Sequence, residues 1–312
     1  MNKVVLACDL GGTNFRLAAV TTEGEVIYRI KRDTPKSDQV DKILQTITEC
    51  INECHNSLKD RFEIKIVAAA VPAAVDAKRG IILKAPNIPC LDGFRFAETL
   101  SVTSKIPVIL ENDANAAAAG ENWLGASKGF ENSICITLGT GVGGGIIIDG
   151  KILRGADGTA GEIGHICVEP FGVPCGCGSR GCVEQYASAT AIVRLASELG
   201  KEFPNSSLLN NPDISGQEIY QAGKRGDELA LEIFRQQGFY LGIAIANLIN
   251  VLNPEVIVIG GGAAGGWDLF VPSLLDEVEK RAYREPVERV KIVRAQCGDD
   301  AGILGVARLA FR

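Results

Sequence analysis

ACDLGGTNFRLAAV, residues 7–20, reads as a strand, a glycine-threonine turn and a second strand, and ICITLGTGVGGGIII, residues 134–148, reads the same way. Such a turn brings bare backbone close to a ligand, with N–H groups able to face the oxygens of a polyphosphate. Two copies of strand, turn, strand form a weak internal repeat of the kind that builds a two-lobed fold.

Around the first copy, residues 3–8, 15–20 and 26–32 predict three strands in meander. Residues 38–58 predict a helix from the spacing of Val40, Ile43, Leu44, Ile47 and Ile51, and 65–71 another strand. The Pro- and Gly-rich stretch 71–93 predicts a loop, 96–103 a short helix, 107–111 a strand and 114–124 an alanine-dense helix. Strands at 133–138 and 145–148 carry the second copy. Residues 161–184 are rich in Cys and Gly with little periodicity, so they predict an insertion held by something other than an apolar core. Helices are expected at 187–199, 226–252, 269–282 and near 302–311, with a buried strand at 255–260.

The chain has 312 residues, too many for one ordinary core, so two domains are expected. The first takes residues 1–112 with a C-terminal helix at 301–312; the second takes 113–300, including the insertion. With 46% hydrophobic and 22% charged residues the composition is that of a globular protein. A net charge of −6 argues against a surface made for nucleic acid or anionic lipid. The N-terminal segment does not read as a signal peptide, and the apolar run 241–252 is too short to span a bilayer. A cytoplasmic protein is expected. Of ten cysteines, Cys8, Cys50, Cys54, Cys90, Cys135 and Cys297 are scattered and read as buried free thiols.

Five clusters carry chemistry. In DLGGT, Gly11, Gly12 and Thr13 suit a phosphate, and Asp9 suits Mg²⁺ held through water; a hairpin turn without a ligand is the competing reading. In the second turn Thr140 and Gly141 belong to a GxGxxG match, but a strand follows where a dinucleotide fold needs a helix. Gly260, Gly261 and Gly262 follow a strand and precede a helix, with too little chain beyond them for paired dinucleotide-binding halves. They suit a base or ribose, or form a plain strand-to-helix turn. No GxxxxGK[ST] occurs. Asp113, at a strand end and a helix start, is a candidate base for phosphoryl transfer or a helix cap. His165, Cys175, Cys177 and Cys182 form a Cys₃His set suited to tetrahedral Zn²⁺, against free thiols or a disulfide.

With ENDANAAAAGE, TLGTGVGGG, GEIGH and CGCGSRGCVE in order, the chain resembles the ROK family (repressors, open reading frames and kinases) over nearly its whole length. The likeness is to the family's bacterial glucokinases. It implies an α/β chain of the actin-like ATPase (ribonuclease H-like) fold, two lobes around a cleft with a zinc-stabilised insertion, and ATP on the three glycine clusters. It implies Asp113 as catalytic base, and Asn112, Glu162, His165 and Glu184 as sugar ligands, with Asn87 and Asp113 also at the sugar. It implies His165, Cys175, Cys177 and Cys182 as zinc ligands. One departure is VPAAVD at 71–76, where the family usually carries glycines; Ala73 and Ala74 bear on that edge of the sugar pocket.

The implied activity is transfer from ATP, with Mg²⁺, to the 6-hydroxyl of glucose. The alternatives are N-acetylglucosamine, N-acetylmannosamine, mannose, fructose or allose as acceptor. A sugar-binding repressor is the reading of another class, disfavoured because eight residues ahead of Asp9 leave no room for a helix-turn-helix. The expected partners are the hexose and ATP, with no nucleic acid and no membrane, and the expected assembly is a homo-oligomer, a dimer first.

Overall fold

The computed structural model describes residues 2–36, 38–211 and 213–311. Its first stretch runs β1 (Asn2–Leu10), β2 (Asn14–Thr21), β3 (Val26–Asp33), α1 (Val40–Leu58), β4 (Phe62–Val71), β5 (Ala74–Asp76), β6 (Ile81–Lys84), α2 (Phe96–Ser104), β7 (Val108–Asn112) and α3 (Asp113–Leu124). Then come β8 (Ser133–Leu138), β9 (Val142–Ile148), β10 (Lys151–Ile152), α4 (Glu184–Ala187), α5 (Ala189–Leu199), α6 (Gly216–Lys224) and α7 (Glu228–Leu252). The chain ends with β11 (Val256–Gly260), α8 (Trp267–Arg281), α9 (Arg284–Arg289), β12 (Lys291–Arg294) and α10 (Ala301–Ala310).

Alternation along β1 explains the first sheet. Leu6, Cys8 and Leu10 enter one core layer and Val5 and Ala7 the other. β2 does the same with Phe15, Leu17 and Ala19 against Ala18 and Val20. A sheet apolar on both faces must be covered on both. Helix α1 covers one face, placing Ile43, Leu44, Ile47, Cys50, Ile51 and Cys54 along one helical stripe. The other face takes Ile303, Leu304, Val306 and Ala307 of α10. Strand order is β3-β2-β1-β4-β7 in this sheet and β10-β9-β8-β11-β12 in the second. Pairing is antiparallel from β3 to β1 and parallel from β1 to β7; in the second sheet β8, β11 and β12 are parallel. The two glycine turns thus fall at the same place in two sheets of like order.

The chain divides into two compact units, one of residues 1–129, 145–161 and 296–312, the other of 130–144 and 162–295. The division differs from the boundary expected at residue 112. Helix α3 stays with the first unit because its small face packs on α10 at backbone distance: a side chain at Gly305 would overlap the Ala116 carbonyl, and one at Gly120 the Ala301 carbonyl. Buried Glu121 adds to this, accepting the amides of Gln296 and Cys297 at 3.0 and 2.7 Å.

Other expectations change as well. The loop expected at 71–93 contains the β5–β6 hairpin. The helix expected at 187–199 is broken at Ser188, whose side chain caps α5 by accepting the Ala191 amide at 3.1 Å. Helix α6 went unread, although Ser215 and Glu218 form a capping box at its start. All ten cysteines are free thiols; Cys90 and Cys297 are half-buried where full burial was expected. Among the described residues no helix is long and apolar enough to cross a membrane.

Candidate functional site

In the first unit, Asp9, next to last in β1, lies opposite Arg16 of β2 in the ladder. Arg16 donates through Nε at 3.0 Å and through Nη2 to Asp9 Oδ2, and through Nη1 to the Asp299 carbonyl at 2.9 Å. Both Arg16 bonds to Asp9 go to Oδ2, none to Oδ1. The Gly11 N–H does not face outward as the turn motif suggests; it donates to the Asn14 carbonyl at 2.9 Å. Thr34 braces the same turn, its hydroxyl donating to the Gly11 carbonyl at 2.6 Å and its amide to the Thr13 carbonyl at 2.8 Å. Neither Arg16 nor Thr34 is legible in the turn motif. Asn87 lies against Gly12, and both line a cavity of about 370 Å³ with Thr34, Lys36, Asp38 and Cys90.

The end of β7 carries Asn112, and Asp113 opens α3. The sequence admits Asp113 as base or cap; the cap is Asn112, whose Oδ1 accepts the Asn115 amide at 3.0 Å. Its Nδ2 donates to the Ala73 carbonyl at 3.1 Å. An amide nitrogen has two hydrogens, and this bond uses one of them. Asp113 Oδ1 accepts the Ala114 amide at 2.9 Å.

In the second unit the turn between β8 and β9 is bound from outside. The Gly139 and Thr140 carbonyls accept the Ala189 amide and the Thr190 hydroxyl, each at 2.8 Å. Glu184, first residue of α4, accepts the Val142 amide at 3.0 Å. Two residues before it stands Cys182, and the ligand atoms of His165, Cys175, Cys177 and Cys182 all lie within 4.8 Å of one another. Cys177 and Cys182 Sγ are 3.7 Å apart, as are Cys175 Sγ and His165 Nδ1. A tetrahedral Zn²⁺ with Zn–S of about 2.3 Å sets sulfurs about 3.8 Å apart, so the donor set fits that ion in chemistry and size. His165 Nε2 faces the other way, 3.9 Å from Glu162 Oε2. Around the cluster, Gln185 Nε2 donates to Cys175 Sγ at 3.7 Å, and Tyr186, stacked on Tyr240, accepts the Val173 amide at 3.0 Å. Sequence reading missed both supports.

Gly260 ends β11, and residues 262–266 form a 3₁₀ turn that leads into α8. A cavity of about 430 Å³ opens on this turn, lined among others by Ile192, Gln217, Tyr220, Phe234, Gly262 and Gly266. Its apolar and aromatic wall suits a planar base. Tyr220 and Gln217 come from α6, the helix that sequence reading passed over.

A model of the ROK family matches residues 5–312. The chain belongs to the ROK family. ROK relatives of similar length include a glucokinase of Halalkalibacterium halodurans, 39% identical over 95% of this chain and 92% of its own. A glucokinase of Thermotoga maritima is 35% identical over 98% and 96%. The crystal structure of a ROK family glucokinase from Streptomyces griseus in complex with glucose and AMPPNP is 34% identical, with a TM-score of 0.82 over 98% of each chain. The fold is accordingly the actin-like ATPase fold expected from the sequence, one strand-turn-strand copy in each sheet.

Proposed function

We propose that this ROK protein is a glucokinase, an ATP-dependent kinase of the glucose 6-hydroxyl. The step is an in-line displacement: the 6-oxygen forms a bond to the γ-phosphorus, the bond to the β–γ bridging oxygen breaks, ADP leaves, and Asp113 receives the hydroxyl proton. Asn87, Asn112, Asp113, Glu162, His165 and Glu184 take the sugar. Gly11, Gly12, Thr13, Thr140 and Gly141 line the phosphates, with Mg²⁺ near Asp9, and Gly260, Gly261 and Gly262 take the nucleoside, Gly262 from the wall of the cavity. His165, Cys175, Cys177 and Cys182 hold Zn²⁺, which when bound supplies a fixed anchor for the imidazole and the insertion. Nδ1 is then the metal-side nitrogen, so Nε2 carries the proton and can donate to a sugar hydroxyl.

The observation that carries this reading is the 112–113 step. Asn112, not Asp113, caps α3, and it sets Asp113 at the first position of that helix, next in the chain to Asn112 of the same proposed sugar set. Full-length identity to the two glucokinases supports glucose as acceptor. A coupled assay of the purified protein with Mg²⁺·ATP and a panel of hexoses and N-acetylhexosamines tests it. Glucose is expected to give the highest kcat/KM; a higher value for another sugar overturns the acceptor, and no transfer to any overturns the activity.

A further inference from the structure

Glu111 directly precedes the 112–113 step and is 2% exposed. Its Oε2 accepts Nε and Nη2 of Arg154 at 3.1 and 2.6 Å. Its Oε1 accepts the Asn112 backbone amide and Asn115 Nδ2, both at 3.1 Å. The carboxylate is therefore saturated, and one of its donors is the amide of the residue just before Asp113. Asn115 Oδ1 is buried with no protein partner. Native proteins rarely leave such an oxygen unpaired, and here it follows from turning Nδ2 toward Glu111.

Arg154 belongs to a different stretch of chain. Its carbonyl accepts the Ala160 amide at 3.2 Å, closing a loop at 154–160 that runs up to Gly161 and Glu162. Gly158 in this loop, at φ +97°, rests so close on the Val75 carbonyl that any side chain there would overlap it. Ala73, two residues before Val75, accepts the Asn112 side chain. The buried carboxylate and its guanidinium partner thus join the segments 111–115 and 154–160, and Asn112 and Gly158 join each of these to 73–75.

We propose that Glu111 and Arg154 are positioning residues for phosphoryl transfer: the pair locks the Asn112 and Asp113 turn and the 154–160 loop into one rigid piece. This rests on the reading of Asp113 as the base. Removing one partner of a buried ion pair leaves the other as an uncompensated charge, which strongly disfavours its buried place. Arg154 therefore sets the direction of the peptide that carries Asp113 without touching the substrate, and does so from the segment leading into Glu162.

The test compares wild type with Arg154→Met, Arg154→Lys, Glu111→Gln and the Glu111→Gln/Arg154→Met double variant, each assayed well below its own Tm. Arg154→Met is expected to lower kcat about tenfold or more and raise the glucose KM, with the ATP KM held within about twofold. Arg154→Lys should recover part of the loss, and the double variant should be no worse than Arg154→Met, the signature of two groups acting through one contact. Amide exchange read by mass spectrometry should quicken together at 112–115 and 154–160. Should Arg154→Met fail to fold, Glu111→Gln carries the test, since it leaves a half-exposed arginine free to turn to water. Normal kcat and glucose KM with only a lowered Tm, or exchange that changes in one segment alone, overturns the proposal. A wild type that transfers phosphate to no hexose overturns the reading of Asp113, and the joint exchange change then decides the coupling by itself.

Discussion

The Glu184 carboxylate accepts the Val142 amide at 3.0 Å and lies over Gly141 so closely that a side chain at 141 would overlap it. Glu184 thereby belongs at once to the proposed sugar set and to the second phosphate turn. Glu184→Ala removes both roles. It is expected to raise the glucose and the ATP KM together, each by about tenfold, the amide of Val142 losing its charged acceptor. Steady-state kinetics with each substrate varied in turn checks this, and an unchanged ATP KM would separate the turn from Glu184.

The same bond alters what zinc removal should do. Glu184, Ala189 and Thr190 fasten the turn between β8 and β9 to the segment that follows Cys182. Elemental analysis is expected to find one zinc per chain. Cys177→Ser, or a chelator, should raise the glucose KM strongly and the ATP KM measurably in the protein that stays folded. Glucose affinity that survives loss of the metal would sink the assignment of His165 to both metal and sugar.

Asp113 and Asn112 should differ in what they contribute to stability. Asp113→Asn is expected to lower kcat by about 10²-fold or more with a much smaller change in glucose affinity and little change in Tm. Asn112→Ala removes the cap of α3 and should cost about 1 kcal/mol in denaturant unfolding. Near-normal turnover in Asp113→Asn would leave the base to be found elsewhere.

Gly305 touches α3 backbone to backbone, so Gly305→Val is expected to destabilise the first unit by about 2–4 kcal/mol or more as α10 is forced away from Ala116. Exposed Val251→Ala, of similar chemistry but on open surface, should change stability by less than about 0.5 kcal/mol. Chemical denaturation of both variants measures the contrast.

The thiols should divide by burial. Burial pushes Cys54 up to about 12, and desolvation with the nearby Glu121 carboxylate does the same to Cys297. Burial also raises Cys8 and Cys50. The thiolate is the reactive form, and at pH 8 a thiol of this kind is ionised to roughly one part in ten thousand. With Zn²⁺ held by Cys175, Cys177 and Cys182, exposed Cys167 is therefore expected to take iodoacetamide first in the native protein, with Cys8, Cys50, Cys54 and Cys297 following only on unfolding or at strongly alkaline pH. Peptide mapping over time reads the order.

What the sequence determined by itself is whatever depends on neighbours along the chain. Period-two alternation in β1, β2 and β4 and the stripe on α1 were legible because burial on two faces dictates residue type at each step. Two glycine turns between apolar strands declared the repeat, and one histidine with three closely spaced cysteines declared the metal set. What only the tertiary structure decided is which distant groups share a contact. Arg154 meets Glu111 across 43 residues, and Glu121 meets Cys297 across 176. Asn112 rather than Asp113 caps α3, and α3 joins the unit of α10 because glycines on each let the backbones touch. Buried charges and helix contacts of this kind are chosen by three-dimensional packing and by the need to satisfy every buried polar group, and neither leaves a periodic mark on the chain.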